Sequence, residues 1–349
     1  PRDAWGINPN QALDFQRYNA DMVANFLDFQ AAILKEYISP RQWITTNYIS
    51  YIEGADARRT RELDFSAYTT YLVYGQKNIG DKGFRIGWPQ GIDFGAAFYK
   101  PISGITGIME LQPGQVNWGE INPQVMPGAV RMWLWDAYSV GNSFVCTYRF
   151  RQPLFGYEQY HHGIMETDGV TLSQGGKDYV QFIEEYNNLQ NELDVEAEMP
   201  GHLKDIKTAI LWTHDNRWNL NIEKRTAKWE TMEELDKYFD IARSVGAPIE
   251  LIDKNTPLDE FKVLIVPAYQ ILEQKTVNKW EQFVENGGSL ILTYRTGIKD
   301  KNNHLWEGPW AEPINDLIGA NIEFYDLLPN DVSGKVNCND TIYNWEIWA

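Results

Sequence analysis

Glu110 closes the apolar run Gly104-Ile105-Thr106-Gly107-Ile108-Met109 and is followed by Leu111-Gln112-Pro113-Gly114. A β-prone run that ends in a carboxylate and breaks at Pro-Gly places that group at the C-terminal end of a strand. In a parallel barrel those ends form the face where chemistry is done. A carboxylate there can attack an anomeric carbon or carry a proton. The plainer alternative is an acidic residue ending a strand in solvent. Further on, Arg149, Arg151, Glu158, His161 and His162 crowd together with Tyr157 and Tyr160 around Phe155-Gly156. That density of hydrogen-bonding groups suits the several hydroxyls of one sugar. Glu158 and His161, three apart, share a face of one helical turn. They are also metal-ligand types, without a third distant ligand, and a salt-bridged loop is the bland alternative. Trp118 is either a stacking platform or a core residue. There is no Gly-x-Ser-x-Gly elbow, phosphate loop or dinucleotide fingerprint, and Gly287-Gly288 reads as a helix cap before a strand.

The elements that must position these groups follow from periodicity. Asn10 to Tyr37 reads as a long helix capped by Asn10, with Leu13, Val23, Phe26, Leu27, Ile33, Leu34 and Tyr37 at near-helical spacing and Pro40 closing it. Trp43 to Ile49, Leu63 to Tyr74, Gly104 to Met109 and Ser143 to Arg149 are β-prone. Pro127 to Tyr138 and Lys177 to Leu189 read as helices. The alternation implies a parallel sheet with crossover helices. About four strands in roughly 190 residues amount to half of an eight-stranded barrel, since a whole one takes about 250 residues. Asn191 to Lys207, with Pro200-Gly201, reads as a linker. The pattern then restarts, with strands at 208–212, 263–267 and 289–293 and helices over Thr231 to Val245 and Thr276 to Glu285. Short apolar runs of this kind suit a buried parallel sheet.

Composition narrows the partners. The net charge of −17 repels phosphate backbones, so nucleic acid is not expected. No apolar run is long enough to span a membrane, so a soluble protein is expected, cytoplasmic or periplasmic. The 14 Trp and 19 Tyr suit either a sugar site or a large buried core. Cys146 and Cys338, far apart, make neither a disulfide framework nor a metal cluster. The first residues, Pro1 to Trp5, carry no start Met and no signal-peptide pattern.

The segment Ile108 to Trp118 resembles the nucleophile segment of the glycoside hydrolase family 42 β-galactosidases. Pro127-Gly128-Ala129-Val130-Arg131-Met132-Trp133 resembles the helix that follows it. Tyr148-Arg149-Phe150-Arg151-Gln152 with Phe155 to His161 resembles the family's last barrel strand and sugar-binding loop. Leu13 to Tyr18 and Thr46-Asn47-Tyr48 also fit. Asp215-Asn216-Arg217-Trp218 and Gly287 to Lys299 resemble the family's flavodoxin-like, glutamine-amidotransferase-like trimer domain.

The resemblance implies an α/β protein. Residues 1–195 would form the C-terminal half of a TIM (β/α)8 barrel, 196–207 a linker, and 208–349 an α/β trimerisation domain. It implies a retaining hydrolase of terminal β-D-galactosides, a homotrimer, using no cofactor and no metal. Glu110 would be the nucleophile, and Trp118, Glu158 and His161 would contact galactose. Tyr71 would match a site tyrosine after the sixth strand, although this chain has Tyr-Thr-Thr-Tyr-Leu where the family has an Asp-Asn-Tyr-Pro-like run. The family's acid/base Glu would lie upstream of Pro1 and its small C-terminal β domain beyond Ala349, so the chain by itself is expected to be inactive. The other reading is a non-catalytic sugar-binding or scaffold fragment.

Overall fold

A computed structural model describes residues 6–49, 54–74, 83–88, 90–194, 197–329 and 331–345. Pro1 to Trp5 and Ala349 lie outside the described residues. The chain forms two compact units, one of Met22–Glu198 and one of Pro1–Asp21 with Met199–Ala349.

The first unit is built on four parallel strands in sequential order: β1 (Asn47–Tyr48), β2 (Ala67–Thr70), β3 (Ile108–Leu111) and β4 (Val145–Thr147). Helices α2 (Gln90–Ser103), α3 (Ala129–Ser139) and α4 (Gln174–Gln190) connect or follow these strands. Strand and helix alternate as in a partial (β/α)8 barrel. The β-prone stretches are longer than the strands themselves: of Leu63 to Tyr74 only Ala67–Thr70 is paired. Helix α2 was not expected. Its residues Ile92, Phe94, Ala96, Ala97, Phe98 and Tyr99 are all buried, so the helix has no polar stripe to give it a readable period. Gly95 lets it approach the sheet: a Cβ there would lie 2.2 Å from the Tyr68 ring. Tyr68 itself donates from its hydroxyl to Ile92 O at 3.0 Å.

Helix α1 (Pro9–Lys35) starts earlier than expected. The cap is Asn8, whose Oδ1 accepts from Asn10 N at 2.9 Å, rather than Asn10. The face it buries also differs from the expected one. Leu13, Ala20, Ala24 and Ala31 are buried, whereas Val23, Phe26, Ile33 and Leu34 are exposed. The small residues at seven- and four-residue spacing mark the packed face; the large ones drew the reading elsewhere.

In the second unit β5 (Thr208–Leu211) lies between β6 (Ile249–Ile252) and β7 (Val263–Val266), and β8 (Ser289–Leu292) flanks β7, all parallel. That order, 2-1-3-4 within the unit, is the flavodoxin-like doubly wound arrangement. The linker segment contains a short helix, α5 (Gly201–Lys204). Around the sheet lie α6 (His214–Ile222), α7 (Thr231–Ser244), α8 (Gln274–Glu285) and α9 (Glu312–Ile318). Strands β9 (Gly334–Cys338) and β10 (Thr341–Trp345) form an antiparallel hairpin. The core gathers Ala209, Leu211, Leu264, Val266, Val277 and Trp280. Leu13 and Ala20 of α1 pack on Trp218 and Ile271, and Arg17 is paired to Asp215 at 2.8 Å.

Candidate active site

Glu110 sits in β3, one residue before its end, and pairs in register with Thr69 of β2. Two neighbouring elements hold its carboxylate. Asn47 Nδ2, from β1, donates to Oε1 at 3.0 Å, and the Tyr71 hydroxyl, just past β2, donates to Oε2 at 2.9 Å. Burial, the Glu110 charge and the hydrogen bond to it push the Tyr71 phenol far up, so Tyr71 stays protonated and serves only as a donor here. A carboxylate with one donor on each oxygen is fixed in orientation.

Gln112 fixes the backbone on both sides. It is wholly buried. Its Oε1 accepts from Leu72 N at 3.0 Å and Val73 N at 2.9 Å, and its Nε2 donates to Val73 O at 2.9 Å and Gly114 O at 2.8 Å. One side chain therefore joins the turn after Tyr71 to the turn after Glu110. The first turn of α4 presses on the same loop, and a Cβ on Gly175 would come within 1.8 Å of Pro113 O. Ser173 caps that helix through Gly176 N and donates to Gly163 O.

Trp118 stands edge-on to Tyr71, with ring centroids 4.9 Å apart, and next to Tyr74 at 5.1 Å. Asn122 closes its loop, accepting from Gly119 N and donating to Gly119 O, both at 2.9 Å. His161 is buried with the Tyr71 and Tyr148 rings set perpendicular to it. Its Nδ1 lies 2.9 Å from His162 O. A carbonyl can only accept, so Nδ1 carries the proton. Burial lowers the imidazole's pKa, which leaves Nε2 a bare acceptor, and that atom is buried without a partner. Glu158 receives the Tyr148 hydroxyl at 2.7 Å and Arg149 Nη1 at 2.9 Å on the same oxygen, Oε2. Beside it a cleft of about 520 Å³ is lined by Arg149, Arg151, Gln152, Leu154, Phe155 and Tyr157 among others, within the size range of small-ligand sites.

Glu110, Tyr71, Trp118 and His161 thus meet in one cluster, and Tyr148 joins Glu158 to it. Sequence reasoning did not single out Asn47, Gln112 or Tyr148 as site residues. Asn47 carried no signal like that of Glu110, because it lies inside the β-prone run Trp43 to Ile49 and not at its end. Gln112 carried none, because its role is visible only once the two turns are adjacent. Among the described residues no three His, Cys, Asp or Glu side chains converge as a metal ion would need.

Comparison with known proteins agrees over the whole chain. A family profile described as beta-galactosidase matches residues 1–189, and one described as beta-galactosidase trimerisation domain matches residues 206–349. The chain is 24% identical to the beta-galactosidase BgaH of Haloferax lucentense over 98% of its own length and 50% of that protein. It is 26% identical to a beta-galactosidase of Thermus thermophilus over 92% of its length and 49% of that protein. The solved structure of a beta-galactosidase from Halorubrum lacusprofundi superposes with a TM-score of 0.90 at 24% identity, covering 100% of this chain and 51% of that one. One from Marinomonas ef1 gives 0.89 at 27% identity, covering 99% and 53%. The chain spans about half the length of the curated relatives it matches. With the parallel-strand frame around Glu110 and a profile match over more than half its residues, this chain belongs to the glycoside hydrolase family 42 β-galactosidases.

Proposed function

We propose that this chain carries the nucleophile half of a retaining hydrolase of terminal β-D-galactosides. The observation that carries the reading is Glu110, near the end of a parallel strand with a hydrogen-bond donor on each carboxylate oxygen. In the first step a Glu110 oxygen bonds the anomeric carbon as the glycosidic C–O bond breaks, and the leaving oxygen takes a proton from the second carboxyl group of the pair. In the second step water, deprotonated by that same group, attacks the anomeric carbon as its bond to the Glu110 oxygen breaks, which regenerates the carboxylate and releases galactose with net retention. Glu158, anchored by Tyr148 and Arg149, offers its free oxygen to a sugar hydroxyl. His161 offers Nε2 as an acceptor, a contact that satisfies an otherwise orphaned buried atom. Trp118 supplies an apolar face for the sugar ring, and Tyr71 holds the nucleophile.

The division into barrel residues 1–195, a linker 196–207 and an α/β domain 208–349 belongs to the same proposal. So does a homotrimer built through the second domain, for which the trimerisation-domain match to residues 206–349 is the support; such a ring would be a closed cyclic assembly. No described helix is long and apolar enough to cross a membrane. The catalytic reading is tested by incubating the complete polypeptide that carries this sequence with a 2-deoxy-2-fluoro-β-galactoside and mapping the adduct by peptide mass spectrometry. The sugar is expected on Glu110. An adduct on Glu158, or none with an active enzyme, contradicts the assignment. Light scattering at micromolar concentration tests the trimer, and a monomer would contradict it.

A further inference from the structure

Asn47 can help the Glu110 carboxylate only if its amide is turned the right way round. The nitrogen must face Glu110; the oxygen would repel it. Asn47, Thr69 and Glu110 come from three adjacent parallel strands, with Asn47 in register with Ala67, two residues before Thr69, and Thr69 in register with Glu110. The Thr69 hydroxyl donates to Asn47 Oδ1. Asn47 Nδ2 donates to Glu110 Oε1 at 3.0 Å. A hydroxyl donor on the amide oxygen selects the orientation that aims the amide nitrogen at the carboxylate. We infer that Thr69 is a positioning residue for the nucleophile, acting through the Asn47 amide as a two-bond relay that keeps the Glu110 carboxylate aligned. The inference rests on the catalytic reading of Glu110.

Among the described residues, the Glu110 charge acts on the Tyr71 and Tyr148 phenols and on the His161 imidazole, and Glu158 is joined to Tyr148. Replacing Thr69 leaves all four in place. Thr69→Val keeps the β-branched shape and removes the donor, so the amide can turn and one oxygen of Glu110 loses its partner. For an aryl β-galactoside, measured on the complete polypeptide, kcat should fall about tenfold with KM little changed. Thr69→Ser, which keeps the hydroxyl, should restore kcat, a rescue that a packing role would not show.

Glu110→Gln serves as the reference. If it abolishes turnover while Thr69→Val leaves kcat unchanged, the relay is wrong and the nucleophile stands. If Glu110→Gln remains active, the catalytic reading falls, and the relay is judged on a crystal structure of Thr69→Val. There, Asn47 Nδ2 out of hydrogen-bond reach of Glu110 upholds the relay, and an unmoved Asn47 overturns it.

Discussion

Gln112→Leu should destabilise the first unit and misplace Tyr71 together. The Gln112 amide is wholly buried and makes four hydrogen bonds, two as acceptor and two as donor. Leucine is close in volume, so cavity formation is a minor contribution and the hydrogen bonds dominate. Each bond is worth about 0.5–1.5 kcal/mol net, and a buried backbone N–H left without a partner costs about 1–3 kcal/mol. The Leu72 and Val73 N–H groups both lose their acceptor, so the loss should be about 3–5 kcal/mol after partial relaxation. For a unit of this size each kcal/mol moves Tm by roughly 2–4 °C, giving a fall of about 6–20 °C in a calorimetric scan. Because the freed residues directly follow Tyr71, the Tyr71–Glu110 bond should loosen, and kcat should fall more than KM rises. A Tm within about 2 °C of wild type, or an unchanged kcat, would refute the view that Gln112 holds the two turns together.

Three further outcomes follow from the site. Burial lowers the pKa of His161 and His162, so the unfolded chain binds more protons than the folded one below the ordinary histidine value of about 6.5. Stability should therefore fall as pH drops through that value, and His161→Gln should flatten the slope in a Tm-against-pH series; a slope that does not change removes His161 as a source. Glu158→Gln should raise KM and lower kcat together, because a hydroxyl contact made in the ground state strengthens in the transition state, and external azide should not restore the rate. Tyr71→Phe removes one donor from Glu110 and should lower kcat about tenfold with KM little changed; an unchanged kcat argues that Asn47 alone orients the carboxylate.

Much of this was legible in the chain because strong local patterns coincide with the final elements. Val263–Val266 and Ser289–Leu292 are short apolar runs that became β7 and β8, and Pro127-Gly128 announced α3, whose preceding Gly128 takes a left-handed conformation. Helix α2 stayed hidden because it is apolar nearly all round. Strand β6 stayed hidden because Glu250 interrupts four residues that pair on one side only, with β5. Helix α6 carried a local signal that was passed over: Thr213 accepts from Asn216 N as its cap. The site divides in the same way. Glu110, Glu158 and His161 are candidates by type and position, Trp118 and Tyr71 enter through the family resemblance, and the other partners of Glu110, Thr69 and Asn47 included, are set by strand register. A register is fixed only when the sheet assembles, so no spacing along the chain announces it.

The central claim is that Glu110 forms the bond to the sugar. The most direct test is Glu110→Gly in the complete polypeptide, assayed with an aryl β-galactoside and sodium azide. Removing the carboxylate should lower turnover by several orders of magnitude while leaving room for azide against the anomeric carbon. A single displacement then inverts that centre, so the account predicts azide-dependent recovery with α-galactosyl azide as the product, identified by NMR. Recovery in Glu158→Gly and not in Glu110→Gly, or a β-galactosyl azide product from Glu110→Gly, would contradict it.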